Sequence, residues 1–131
     1  MTTAIFLKAF FTILVVFLVL DALWIGFVAL DMFKRTLGAM IRSAPNIPAI
    51  IAFYLIYATA LTLLVIAPSL DEGMSGTLWR AALFGLAAYA TYDLTNLATL
   101  NGWTPSLAIT DIAWGTFATT VACLTARAVV K

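Results

Sequence analysis

The sequence contains no histidine, and its single cysteine is Cys123. The first absence removes the commonest metal ligand and the usual general base at neutral pH. The second excludes an intrachain disulfide and a cysteine-rich metal site. No metal and no cofactor are expected. Charge is scarce too: Lys and Arg number 7, Asp and Glu 6, together 10% of 131 residues with a net charge of +1. Soluble domains carry about 25% charged residues. So little polar surface cannot cover a soluble globule, and so even a balance gives no argument for a nucleic-acid partner. Hydrophobic types are abundant, at 64% with a mean hydropathy of +1.09. The expected surroundings are membrane lipids.

A helix crosses the hydrocarbon core with about 20 mostly apolar residues. Four segments are assigned as spans, at about 7–30, 47–67, 78–100 and 105–129. Asn46 and Thr104 are placed to cap the second and fourth, with Pro48 and Pro105 in their first turns. Pro68 is expected to stop the second, and Asn101-Gly102 the third. The first apolar run continues through Asp21 and Trp24 to Leu30 without a small-x-small cleavage site, so a retained span is expected rather than a removed signal. The fold class is all-α: one integral membrane domain, an antiparallel four-helix bundle with short loops.

In "DMFKRTLGAMIRSAPN", Phe33, Leu37, Met40 and Ile41 share a helical side, while Lys34, Arg35 and Arg42 lie mostly elsewhere. A short helix in the membrane interface and a plain polar loop both fit. Trp103 is expected at headgroup level. Lys34, Arg35 and Arg42 on one side oppose Lys8, Arg80, Arg127 and Lys131 on the other, which leaves orientation undecided by the positive-inside rule. So weak a bias permits dual insertion and an antiparallel homodimer.

Three carboxylates interrupt the apolar runs: Asp21 in "LVLDALWIGF", Asp93 in "YDLTNLATL" and Asp111 in "AITDIAWGTF". Asp21 and Asp111 each precede a tryptophan, Trp24 and Trp114, by three residues. At about 1.5 Å per residue, all three acids fall roughly 10 to 14 Å below the side that holds the 31–46 and 101–104 connections. Tyr54 and Tyr57 reach a similar depth on the second helix. Spacing of three or four residues aligns Tyr89, Asp93 and Asn96 with Gly85, and sets Tyr92 beside them. The same spacing lines up Asp111, Gly115, Thr119 and Cys123 as a small-residue stripe that permits close helix approach. Carboxylates facing lipid are too costly to expect, so an interior polar pocket closed below by an apolar plug is anticipated. Its candidate ligand-binding residues are Asp21, Trp24, Tyr54, Tyr57, Tyr89, Tyr92, Asp93, Asn96, Asp111 and Trp114.

The segments "LDALWIGF", "YDLTNLATLNGW" and "TDIAWGTF" resemble the signature segments of a bacterial family of four-span membrane proteins, domain of unknown function 2177. The resemblance covers nearly the whole chain. It implies a multi-pass protein of the bacterial inner membrane with no assigned activity, and it singles out Asp21, Trp24, Tyr92, Asp93, Asn96, Gly102, Asp111 and Trp114. Three functions remain open. One is binding or transport of a small ligand, cationic or proton-coupled, for which small four-helix multidrug exporters offer an analogy only. Another is a lipid- or isoprenoid-modifying intramembrane enzyme or its accessory; no nucleophile–base pair or phosphate loop supports it. The last is a structural or assembly subunit.

Overall fold

The structure is a computed structural model that describes residues 1–131; it contains helices and connections and no strand. Four helices are present: α1 (Thr3–Met40), α2 (Ile47–Ser69), α3 (Gly73–Thr99) and α4 (Pro105–Val130). Their starts follow the capping chemistry of the sequence. Thr2 Oγ1 accepts the Ile5 N–H, Asn46 Oδ1 that of Ala49, and Thr104 Oγ1 that of Leu107. Each such bond satisfies one of the amides a helix start leaves free. At the end of α3 the chain turns through Gly102, whose φ of +91° suits a residue without a Cβ.

Three helices, α1, α2 and α4, are long and apolar enough to cross a membrane. The sequence reading expects a fourth apolar span, and α3 is long enough at 27 residues. Its composition is more polar than the others because it carries Arg80, Asp93, Asn96 and several threonines. Large side chains such as Phe11, Val15, Phe27, Ile56 and Ile109 are exposed along the bundle. A soluble fold would bury such a surface; a lipid-facing one leaves it outward.

Two wide, π-helical turns were not foreseen from the sequence: Ile25–Ala29 in α1 and Thr62–Ile66 in α2. Proline lacks an N–H and its ring crowds the carbonyl four residues back. The wide turn of α2 lies just before Pro68 and gives the ring room, so α2 runs one residue past it to Ser69. In α1 the wide turn carries the helix onward without a break. The segment after the first span is therefore helical, as Leu30–Leu37 followed by a tight turn at Gly38–Met40, and continuous with the span. Its charges point outward, and Asp31 and Arg35 pair at 3.5 Å one turn apart.

Inward faces follow a four-residue step. On α1 the buried positions are Ala9, Ile13, Phe17, Asp21 and, past the exposed Ile25, Ala29. On α3, Thr77, Ala81, Gly85 and Asp93 are buried, with half-buried Tyr89 in the same series. On α4, Leu107, Asp111, Gly115, Thr119 and Cys123 are buried. Helices α3 and α4 run antiparallel, and their series meet: a Cβ on Gly85 would lie 2.9 Å from Thr119 Cβ, and one on Gly115 would strike the Tyr89 ring. The next step along both brings Asp93 opposite Asp111. The main core, with Ile13, Phe17, Leu61, Val65 and Cys123, fills one half of the bundle. A smaller cluster of Trp103, Leu107 and Ala108 lies toward the other end, packed against Met32, Phe33, Leu37 and Leu97. The carboxylates sit between the two.

Candidate functional site

Asp21 is the next inward position after Phe17 on the α1 series, which explains why a carboxylate points into the bundle. Two neutral donors hold it: Tyr54 Oη donates to Oδ2 at 2.6 Å, and Trp114 Nε1 to Oδ1 at 3.0 Å. Three helices thus meet at one side chain that is 9% exposed. These two hydrogen bonds fix both oxygens in direction. Tyr54 is in turn braced by Phe17, ring centroids 6.0 Å apart, and Tyr57 by Phe17 at 5.3 Å. The Tyr57 hydroxyl pairs with Thr119 Oγ1 at 2.8 Å.

The twin Asp-x-x-Trp segments come together across α1 and α4. Trp24 and Trp114 stack with centroids 4.7 Å apart and planes 3° from parallel. Antiparallel packing sets Asp21 against Trp114 and Trp24 toward Asp111. Only the first of these two reciprocal bonds is made; Trp24 Nε1 is buried without a partner.

Beside this stack lies a cavity of about 660 Å³ whose lining includes Asp21, Trp24, Tyr57, Tyr89, Tyr92, Asp111 and Trp114. Of its 14 lining residues 12 are hydrophobic, among them Phe33, Phe53 and Ala88. The pocket expected as polar is an aromatic and aliphatic chamber with two carboxylates in its wall, and Tyr57 spends its hydroxyl on Thr119. Lining residues that reach the surface are Ile25, Leu30, Phe53 and Tyr92, so no charged group stands at the mouth. The π-helical turn of α1 contributes Ile25 and Ala29 directly. Wide turns of this kind are frequent where a helix lines a functional site.

The remaining candidates lie outside the chamber lining. Tyr54 sits behind Asp21 as its donor. Asp93 is fully buried, faces Asp111, and finds no hydrogen-bond donor for either oxygen. Asn96 is half-buried on the last turn of α3, and its side chain makes no hydrogen bond there. Trp103 is tucked inward at 8% exposure, with Phe33 and Tyr92 edge-on to its ring at 5.9 and 5.5 Å. The continuing α1 helix covers it. Its indole N–H lies beside Asp93 but outside hydrogen-bonding geometry. Sequence reasoning also missed Thr119 as the partner of Tyr57, although Thr119 stands on the small-residue stripe.

None of Asp21, Asp93 and Asp111 has a cationic partner; the ion pairs of the structure are Asp31–Arg35 and Glu72–Arg80. No group of three or more carboxylate or thiol side chains is gathered closely enough to hold a metal ion. The site thus places two carboxylates in the wall of an aromatic chamber without a nearby counter-ion.

No curated protein and no solved structure matches this chain. Residues 6–128 match the family described as Predicted membrane protein (DUF2177), a stretch that includes every residue of the chamber. The chain belongs to this family of membrane proteins.

Proposed function

We propose that the protein binds, and passes across or within the membrane, a small lipophilic cation held in the chamber between Asp21 and Asp111. One observation carries this reading: two buried carboxylates without a basic partner line a cavity of about 660 Å³ that is otherwise aromatic and aliphatic. A volume of that size lies within the roughly 300–1,000 Å³ range of small-molecule sites. An isolated buried carboxylate is very unfavourable, so a cation arriving at Asp111 gains what the empty fold lacks. The indole and phenol faces add cation–π attraction, about 2 kcal/mol or more where water is excluded. All four helices span the membrane in this reading, and α3 tolerates its polar residues because Asp93 is buried in the bundle while Thr91, Thr95 and Thr99 donate to carbonyls of their own helix. The proposed location is the inner membrane of a bacterium, on the strength of the resemblance in "YDLTNLATLNGW".

The test is equilibrium binding of tetraphenylphosphonium to the purified chain, read by quenching of tryptophan fluorescence, with uncharged tetraphenylmethane as control. Saturable binding of the cation alone, weakened at least tenfold by Asp111→Asn, is the expected result. Equal binding of both compounds, or binding indifferent to Asp21→Asn and Asp111→Asn together, would sink the proposal. A structural role for Asp21 is favoured by its two hydrogen bonds to Tyr54 and Trp114. Under that reading Asp21→Asn folds normally and changes nothing that Asp111→Asn changes.

A further inference from the structure

We propose that Asp93 and Asp111 form a proton-binding dyad, one proton held between their facing carboxyls, with Asp111 presenting the dyad to the chamber and Asp93 sealed behind it. The register of α3 against α4 places them opposite each other by the same four-residue step that sets Gly85 on Thr119 and Tyr89 on Gly115. Asp93 is 0% exposed, and both its oxygens lack a donor. Two ionised carboxylates facing each other are acceptors only, so neither can satisfy the other. A single proton converts one of them into a donor and yields an O–H···O⁻ bond, among the strongest available.

A second observation points to the same place. The Trp103 indole N–H is buried without a partner and lies beside Asp93. An indole cannot release its proton in this chemistry; it is a spare donor toward the charge that remains on the dyad. Other neutralisers are missing on every side. The groups beside the pair are Asp21 from α1, Tyr89 and Tyr92 from α3 and Trp103 from the α3–α4 connection, while Tyr54 and Tyr57 of α2 spend their hydroxyls on Asp21 and Thr119. None is a cation, and the carboxylates form no metal-holding set. A proton shared between the two carboxyls satisfies the pair without any of them.

The dyad is asymmetric in access. Asp111 lines the chamber with Asp21, whereas Asp93 does not. Resting on the cation reading above, this gives a coupling: a monovalent cation bound at Asp111 favours the ionised form, and the dyad proton departs to water. One charge enters and one leaves, so the buried site keeps its net charge.

Infrared spectroscopy of the full chain in lipid nanodiscs, without added ligand, tests the dyad itself. A carboxylic-acid C=O band present at neutral pH is expected in the wild type, shifted in D₂O and retained in Asp21→Asn. Asp93→Asn and Asp111→Asn should each abolish it, because the amide N–H then donates to the remaining carboxylate. A wild type without the band, or a band that survives both single substitutions, overturns the dyad; the wild-type spectrum decides even where a variant does not fold. Tetraphenylphosphonium added to the wild type should bleach the band and release one proton per cation bound. A band that stays while the cation binds leaves the dyad standing and overturns the coupling, and a band that stays because no cation binds overturns the ligand reading instead.

Discussion

Trp24 and Trp114 lie face to face, 4.7 Å apart and within 3° of parallel, so the two Asp-x-x-Trp segments are one structural unit made from α1 and α4. The unit is lopsided. Trp114 donates to Asp21 at 3.0 Å, while Trp24 keeps an unpaired N–H. Two indoles this close couple their electronic transitions. The near-ultraviolet circular dichroism of the protein is therefore expected to show a paired tryptophan signal that either Trp24→Phe or Trp114→Phe removes. Trp114→Phe should destabilise the bundle more than Trp24→Phe, since it loses a hydrogen bond besides the stack, itself worth about 0.5–1.5 kcal/mol. Equal losses in unfolding titrations would show that the Asp21 bond contributes nothing.

Gly115 is the contact on which the α3–α4 register turns. A Cβ there would overlap the base of the Tyr89 ring, which cannot swing away as a flexible chain end could. Gly115→Ala is expected to destabilise by about 1–3 kcal/mol, the usual cost of overpacking. Tyr89→Ala removes the obstacle. The double substitution should then be less destabilised than the two single effects added, a coupling that unfolding measurements in mixed micelles can read.

Much of this arrangement was legible before the coordinates. The four-residue series Gly85, Tyr89, Asp93 and Asp111, Gly115, Thr119, Cys123 can be read from spacing alone, because acids cannot favourably face lipid and small residues let helices approach closely. The common level of the three acids along the bundle is legible as well, since it needs only the rise per residue. Azimuth was not. Asp21, Asp93 and Asp111 lie at similar depths, yet Asp93 faces Asp111 from behind the chamber wall. Asn96, three residues after Asp93, is half-buried one turn nearer the end of α3 and does not line the chamber. The wide turn at Ile25–Ala29 left no trace in residue types, having neither proline nor a polar run, and so the inward position of Trp103 under the extended α1 was hidden too.

Away from the chamber, Glu72 and Arg80 tie the start of α3, with Arg80 Nη2 2.6 Å from Glu72 Oε1. The Arg80 guanidinium holds the Glu72 carboxyl below the usual carboxylate range by hydrogen bonding and charge. A carboxyl whose folded value is depressed adds stability above its unfolded value and loses it as pH falls through the folded one. Amides at the α2–α3 connection should therefore exchange faster on acidification, after correction for intrinsic rates. Glu72→Gln should flatten that dependence, and added salt should weaken it, since the pair is exposed and screened. A pH profile identical in Glu72→Gln would show that the pair does not hold the connection.

Native mass spectrometry of the protein extracted from its own membrane reads whether the proposed cation occupies the chamber between Asp21 and Asp111. A copurifying amine or quaternary cation is expected on the wild type, at one per chain. It should be lost from Asp111→Asn and from Ala88→Trp, which fills the chamber from α3 while leaving both acids in place. A wild type that carries no small molecule, or that carries the same neutral lipid as both variants, would contradict the proposal.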